Sequence, residues 1–549
     1  MKLDYKKTLK VGTAFAIIMV FWTAYDYVVP LLLENAFGLS NSARGLIMGL
    51  DNLLSLFMLP LFGKISDKLV SKYGKRTPFI VAGTLITVML MVFVPVSANR
   101  QLDKSLALRE EITDTFTDTA NYGYTDNRGV AFDAGALYAM LYEKGAENSD
   151  YCDRDFLKAN GIDRDAYLEI ALNGKQDGKF TSDYVKYVKT GINNYASEQV
   201  YETITKKEPF GLILYMVILL FVLVAMATFR SPAVALMPDV TPKPLRSQAN
   251  AMISLAGGAG GAIAFLIYTI VLSVNPTAYT LVFGLAAFAM LLLMIAFILL
   301  VKEKKLVAEC ETLCAEYGIT DDEPTNAGGD SKGVLTDAVK YKKAKFASFL
   351  LILASIFMWF MGYNAVSSNL SIYLTKTLGL EAGLGGLVSG LSMGVSAIAF
   401  IPVGLLAAKI GRRKSIIIGF ALAIISFVMI FLFASNADAI APVLFTVFYL
   451  LSGFGLIISN VNTFPMVVEL SSKNSVGVYT GWYYTATMSA QAVTPFVAGL
   501  IMDFAGNKYL FLYSAVCVVA AIALMLFVRH GDSKAVPPKS KLELLGGDD

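Results

Sequence analysis

Twelve stretches of about twenty or more largely apolar residues follow one another along this chain, and few folds can accommodate them. Lipid offers the backbone no hydrogen-bond partner, so a span of that length must satisfy its own N–H and C=O groups as a helix. Helices are expected near 11–33, 44–66, 78–97, 210–229, 249–273 and 279–301, and again near 346–374, 384–408, 415–435, 440–468, 479–502 and 508–528. The fold class that follows is an all-α integral membrane protein with twelve transmembrane helices. Composition agrees, since 56% of the 549 residues are hydrophobic and 16% charged, where a soluble domain carries about 25% charged residues. The formal net charge of +3 gives no reason to expect a nucleic-acid partner.

The basic start (Lys2, Lys6, Lys7, Lys10) precedes an apolar run that continues through Leu33 without an Ala-x-Ala cleavage pattern. It reads as a retained first span rather than a signal peptide. Counting spans from there, the 67–77 loop with Lys68, Lys72, Lys75 and Arg76 falls on the same side as the 409–414 loop with Lys409, Arg412, Arg413 and Lys414. The positive-inside rule makes that side cytoplasmic. Both termini, the 302–345 linker and the 529–549 tail are then cytoplasmic, in a multi-pass protein of the cell membrane. Residues 98–208 are polar and fall on the outside. Their length suffices for a small folded domain; a functional cap and an inert insertion are both open, and the inert reading is favoured because loops tolerate insertion cheaply. Cys310 and Cys314 stand four apart with no second ligand pair or nearby histidine. With Cys152 and Cys517 they are expected as free thiols, and no metal is expected.

The two sets of six spans repeat each other. Phe21-Trp22-Thr23-Ala24-Tyr25-Asp26 aligns with Trp359-Phe360-Met361-Gly362-Tyr363-Asn364, and Gly45 to Asp51 aligns with Gly386 to Ser392. The loop Gly63-Lys64-Ile65-Ser66-Asp67-Lys68 aligns with Gly404 to Lys409, each followed by a basic cluster. Three matches in order make a duplicated six-helix unit, with one bundle over 1–301 and the other over 346–528; such internal repeats mark secondary transporters. A fourth match relates Asn250, Ser254, Gly257 and Gly261 to Thr480, Tyr484, Thr487 and Gln491, each set on one helical face. The glycine-rich stripe reads as helix packing. The large hydrogen-bonding groups of the second stripe are expected to face a cavity.

Gly63-Lys-Ile-Ser-Asp67-Lys68 followed by Gly74-Lys75-Arg76-Thr-Pro78-Phe79 resembles the signature loop of the major facilitator superfamily. Arg230, Met237-Pro238-Asp239-Val-Thr-Pro242, Arg246 and Ala249-Asn250-Ala251 resemble the loop between the fourth and fifth helices of its glycoside and sucrose:cation symporter branch. The resemblance implies two pseudo-symmetric six-helix bundles, alternating access, and a cytoplasmic gate formed by Asp67, Arg76, Arg230 and Asp239. In the second half Arg412, Arg413 and Glu469 hold the matching positions, but Ala408 replaces the acid, so an asymmetric gate is expected. Melibiose-type members place acids just before the Pro-x-x-Gly that matches Pro60 to Gly63. Here Ser55 and Leu59 stand there, and that sodium site is not carried over.

Only two ionisable residues, Asp26 and Asp51, fall well inside the expected spans, and no Arg, Lys or His does; the sole histidine, His530, lies at the inner end of the last span. Each aspartate is about 10 Å from the outer end of its span by helical rise. Pro30 leaves the Asp26 carbonyl without its usual helical partner. A charged carboxylate in lipid is costly, and one that takes a proton on one side and releases it on the other is what proton coupling requires. Asp26 aligns with Asn364 and Asp51 with Ser392, which suggests ion coupling in the first half and neutral hydrogen bonding in the second. Tyr25, Trp359, Tyr363, Asn364, Tyr483, Tyr484, Thr487 and Gln491 combine aromatic faces with amides and hydroxyls, a mixture suited to a neutral sugar ring. The expected function is proton-coupled symport of a sugar or glycoside, with no cofactor beyond the coupling ion, H+, and no obligatory protein partner. No nucleotide-binding glycine loop or nucleophile elbow supports an enzyme. Efflux of cationic amphiphiles by antiport is the alternative within transport, and a non-transporting membrane sensor is the alternative outside it.

Overall fold

The apolar runs fold as long helices, named here α1 (Thr13–Phe37), α2 (Asn41–Lys68), α3 (Thr77–Thr117), α4 (Phe210–Val240), α5 (Arg246–Val274) and α6 (Tyr279–Leu300) in the first half. In the second half they are α7 (Leu335–Ile372), α8 (helical over 382–388), α9 (Arg412–Phe433), α10 (Ala441–Glu469), α11 (Val476–Ala505) and α12 (Leu510–Leu526). The computed structural model describes the chain apart from residues 1–3, 118–123, 126–130, 133, 177, 243–244, 317–334, 389, 391–409, 436–439, 471–475 and 530–549. Eleven helices among the described residues are long and apolar enough to cross a membrane. The remaining expected span, 384–408, runs from α8 into residues outside the described set, and Ser392, Ala408, Lys409 and His530 lie there too.

The packing repeats as the sequence does. In the first half α1 packs on α5 and α6, while α3 packs on α4 and α6; in the second half α7 packs on α11 and α12, while α9 packs on α10 and α12. The halves meet where α2 crosses α11 and, by the same symmetry, where α8 crosses α5. At the first crossing a Cβ on Gly45 would meet the Pro495 carbonyl and one on Gly49 the Ala492 carbonyl, so only glycine permits the approach. At the second, Gly386 lies against Tyr268 and Gly390 against Phe265. These glycines therefore let α8 pack closely against α5.

Two expected boundaries are corrected. The third helix does not stop at 97 but continues to Thr117. Ala98, Leu102, Ser105 and Ile112 are buried at helical spacing, and the polar remainder of each turn hides this amphipathic extension from a search for apolar runs. The fourth helix does not stop at 229 but runs through Arg230, Pro232 and Pro238 to Val240.

The insertion after Thr117 folds around its own core of Leu137, Tyr138, Leu141, Leu157, Tyr167 and Tyr184, which Ile112 from the end of α3 joins. Its helices are Ala134–Lys144, Arg154–Ala159, Arg164–Leu172, Ser182–Tyr187 and Lys189–Val200. Two antiparallel ribbons accompany them, pairing Tyr124 with Phe132 and Lys175 with Phe180.

Candidate functional site

Asp26 stands near the middle of α1 and is exposed, although the residues on either side of it, Tyr25 and Tyr27, are buried at 1% and 4% exposure. Its surroundings are polar. Asp51 of α2, Arg230 of α4 and Tyr363 of α7 all act on it electrostatically. The exposed carboxylate is therefore within electrostatic reach of side chains from both halves. Asp51 is buried and accepts a hydrogen bond from Asn52 Nδ2 at 2.9 Å. Arg230 attracts Asp51 and Asp26 together, and its guanidinium lies over the Trp22 ring, 5.2 Å from the centroid.

Arg230 was expected at the gate, and no cation was expected within a span. Both expectations are corrected, because α4 continues past it and carries it to the two aspartates. A cation on a membrane helix is tolerated where it meets acids and an aromatic face, and here it meets both. Three buried polar atoms beside this group have no partner among the described residues: Trp22 Nε1, Tyr25 Oη and Tyr215 Oη. Buried donors are almost always satisfied, so these fit a site that is completed by water or a ligand.

The second half carries the neutral counterpart. Asn460 stands at the offset from Arg230 that also relates Asp239 to Glu469. Trp359 Nε1 donates to Asn460 Oδ1 at 3.4 Å, and Trp359 stacks on Tyr363 with centroids 6.3 Å apart. An arginine on a tryptophan in one half thus answers an asparagine on a tryptophan in the other. Asn364 lies one residue beyond Tyr363 and gives its Nδ2 to Phe360 O of its own helix at 2.8 Å. Tyr483 and Tyr484 gather around Phe464, at 5.1 and 6.3 Å between centroids. Thr487 is buried and donates to Tyr484 O at 3.2 Å, while Gln491 is half-buried. The structure thus brings together Tyr25, Asp26, Asp51, Arg230 and Tyr363, with Trp359 stacked behind; Tyr483 and Tyr484 form a separate aromatic group. The side chains of Asn250, Ser254 and Thr480 lie outside the described residues.

At the end of the bundle that carries the basic loops, Arg76 is buried. It donates to Asp67 Oδ1 at 2.5 Å from Nη2 and to Asp239 Oδ2 at 2.8 Å from Nε, and its Nη1 reaches Ser66 Oγ. Glu303, at the start of the linker helix Glu303–Glu316, was not anticipated. Its carboxylate accepts from the backbone N–H groups of Lys75, Arg76 and Thr77 at 2.6, 2.9 and 2.7 Å and so caps α3. In the second half Arg413 donates to the carbonyls of Met525 and Leu526 at the end of α12. Arg412 lies beside it at the start of α9, and the side chain of Glu469 is outside the described residues.

The opposite end holds a second buried charge cluster. Glu34 of α1 binds Lys376, in the π turn Tyr373–Thr377 after α7, at 2.7 Å, and it also pairs with Arg44 of α2. Arg109 of the extended α3 donates to Glu34 O at 3.0 Å and to Ser197 Oγ of the insertion at 2.9 Å. Glu34 and Lys376 lie one and two residues beyond the expected spans 11–33 and 346–374, which is why a count of ionisable groups inside the spans missed them.

The comparisons with known proteins agree with this architecture. The family model described as Major Facilitator Superfamily matches residues 209–490 and 352–546, and one described as MFS/sugar transport protein matches residues 12–104. Solute carrier family 45 member 3 of Mus musculus is 36% identical over 69 residues, a match that spans 13% of this chain and 12% of that protein. Among solved structures, the inward open xylose transporter XylE from E. coli superposes with a TM-score of 0.52 at 13% identity, covering 98% of this chain and 99% of that one. A nucleoside transporter superposes with a TM-score of 0.51 at 11% identity, covering 96% and 100%. Duplicated six-helix bundles, a shared packing pattern and a family match across more than half of the residues lead to one conclusion: this chain belongs to the Major Facilitator Superfamily.

Proposed function

We propose that the protein is a proton-coupled symporter of a neutral sugar or glycoside that works by alternating access, in the cell membrane with both termini cytoplasmic. The observation that carries this reading is the cluster of Asp26, Asp51 and Arg230 in the first half, facing its neutral counterpart in the second. Two carboxylates share one guanidinium, so the site has no surplus positive charge to hold an anionic substrate. Protonating one aspartate leaves Arg230 paired with the other, and releasing that proton restores competition for the guanidinium. A proton can in this way alter which helices of the first half are held together. Trp359, Tyr363, Asn364 and Asn460 then supply stacking and amide groups for a sugar ring. The sugar-transport family match over α1 to α3 and the likeness to a xylose transporter support the substrate class.

The same charge count favours one second reading, because two acids to one cation also suit a cationic amphiphile exported in exchange for protons. Proteoliposome uptake of a sugar panel with and without a pH gradient separates the two. Sugar accumulation that requires an inward proton gradient supports symport. Proton release on addition of a lipophilic cation, with no sugar uptake, supports the antiporter.

A further inference from the structure

The insertion is not a passenger on one half. It is tethered in the first half, between α3 and α4, yet it also makes docking bonds to the second. Asn148 Nδ2 donates to Asp503 O at 2.8 Å and Ser149 N to Ala505 O at 3.3 Å, both at the end of α11. Asn507 N, in the turn before α12, donates to Asp150 Oδ1 at 2.7 Å, and Lys508 Nζ to Asp153 Oδ2 at 2.7 Å. Lys376 Nζ reaches Ser197 Oγ at 3.2 Å, and Thr190 Oγ1 reaches Lys376 O at 3.4 Å. The insertion also grips the first half, where Thr205 Oγ1 donates to Phe37 O at 2.8 Å and Arg109 holds Ser197.

This seam coincides with the closure between the halves. Asp503 of α11 accepts from the N–H groups of Asn41 and Ser42 at 2.7 and 2.8 Å and thereby caps α2 of the other half. Tyr27 Oη of α1 donates to Ala382 O at the start of α8 at 2.5 Å, a further bond between the halves. Pseudo-symmetry accounts for the two helix crossings, but it gives no counterpart to the insertion, which adds bonds at this end alone.

We propose that the insertion is a latch on the outer gate, which holds the outside closed and has to release from the end of α11 and the start of α12 before the outside can open. The proposal rests on the transporter reading for its biological meaning, but not for its structural test. The bonds from Asn148, Ser149, Asp150 and Asp153 to Asp503, Ala505, Asn507 and Lys508 join the insertion, anchored on the first half, to the second half, so rocking the halves apart at this end must break them. An inert insertion, by contrast, makes no difference to the balance between the two states.

The test uses the full chain in lipid nanodiscs, with spin labels at Asn275→Cys in the first half and Ile440→Cys in the second, both exposed at the latched end. Cys314, which is not buried as Cys152, Cys310 and Cys517 are, is changed to Ser. Asp153→Ala with Lys508→Ala should add a longer-distance population that is absent from the parent protein. A second variant, Ser149→Cys with Ala505→Cys and no labels, is compared oxidised and reduced in one proteoliposome preparation, so that misfolding cannot imitate the result. Oxidation should lower sugar uptake by roughly tenfold or more, since a locked gate removes the outward-open state, and reduction should restore it. Unchanged distances in the first variant, or equal uptake in the two redox states of the second, would overturn the latch. If no variant transports sugar but the distances lengthen, the latch stands and the sugar reading fails.

Discussion

The guanidinium of Arg230 lies over the indole of Trp22, 5.2 Å from its centroid, and from there it serves both Asp26 and Asp51. A helix-4 cation on a helix-1 aromatic ring thus stands where its charge attracts the carboxylates of α1 and α2. Removing it leaves the buried carboxyl of Asp51 without the cation that attracts it, and an uncompensated buried charge is destabilising. Arg230→Gln is therefore expected to lower the thermal midpoint sharply. The double variant with Asp51→Asn is expected to recover part of the loss, because the orphaned charge is gone. A double-mutant cycle by thermal denaturation in detergent measures this, and strictly additive effects would contradict the pairing.

Glu303 makes a different kind of bond, a carboxylate cap on the first turn of α3. Glu303→Gln keeps the shape but loses the charge that favours a helix N-terminus, at an expected cost of about 1–2 kcal/mol. Gly74→Ala should be worse, since Gly74 has φ +114 and a Cβ there would meet the Glu303 carboxylate. Glu309→Gln, which touches only the surface pairs with Lys7 and Lys305, is the control. Thermal shifts ranked Gly74→Ala, Glu303→Gln, Glu309→Gln from largest to smallest agree with the assignment, and equal shifts do not.

At the opposite end the seam of the insertion should depend on pH. Burial pushes the Asp150 carboxyl up to about 7, and Asp503 pushes the same way, while the Asn507 N–H, Lys376 and Arg44 pull it down. Asp153 and Lys508 form the adjoining pair. When the insertion lifts away, Asp150 returns to water and to the ordinary carboxylate range. The docked form then binds more protons between about pH 4 and 7. Its advantage is complete below that window and is lost as pH rises through about 7. Hydrogen exchange across 145–200 should accordingly quicken from pH 5.5 to 8, after correction for intrinsic rates. Asp150→Asn should flatten the dependence, and the same slope in that variant would exclude Asp150 as its source.

Much of this architecture is legible in the sequence because lipid leaves few choices. Apolar length fixed the spans, and the Asp26/Asn364 and Asp67 repeats fixed the two halves. What escaped notice shares one physical cause. The amphipathic end of α3, Arg230 on α4, and the cluster of Glu34, Arg44, Arg109 and Lys376 are polar residues on continuing helices, and a hydropathy scan reads polarity as the end of a span. One signal was available: the offset that relates Asp239 to Glu469 also relates Arg230 to Asn460, and it would have placed Arg230 in a repeated, site-facing position. No such signal existed for Glu303 or for the docking of Asp150 and Asp153, which depend on tertiary contacts between segments far apart in sequence.

Asp26→Asn bears most directly on the coupling claim, since it copies Asn364 from the other half while nearly preserving volume. Equilibrium exchange and pH-driven accumulation of sugar are measured on the same proteoliposomes for the parent protein, Asp26→Asn and Asp51→Ser. The coupling account predicts that at least one of the two variants exchanges sugar at close to the parental rate yet no longer accumulates it against a gradient. Full pH-driven accumulation by both variants would contradict it.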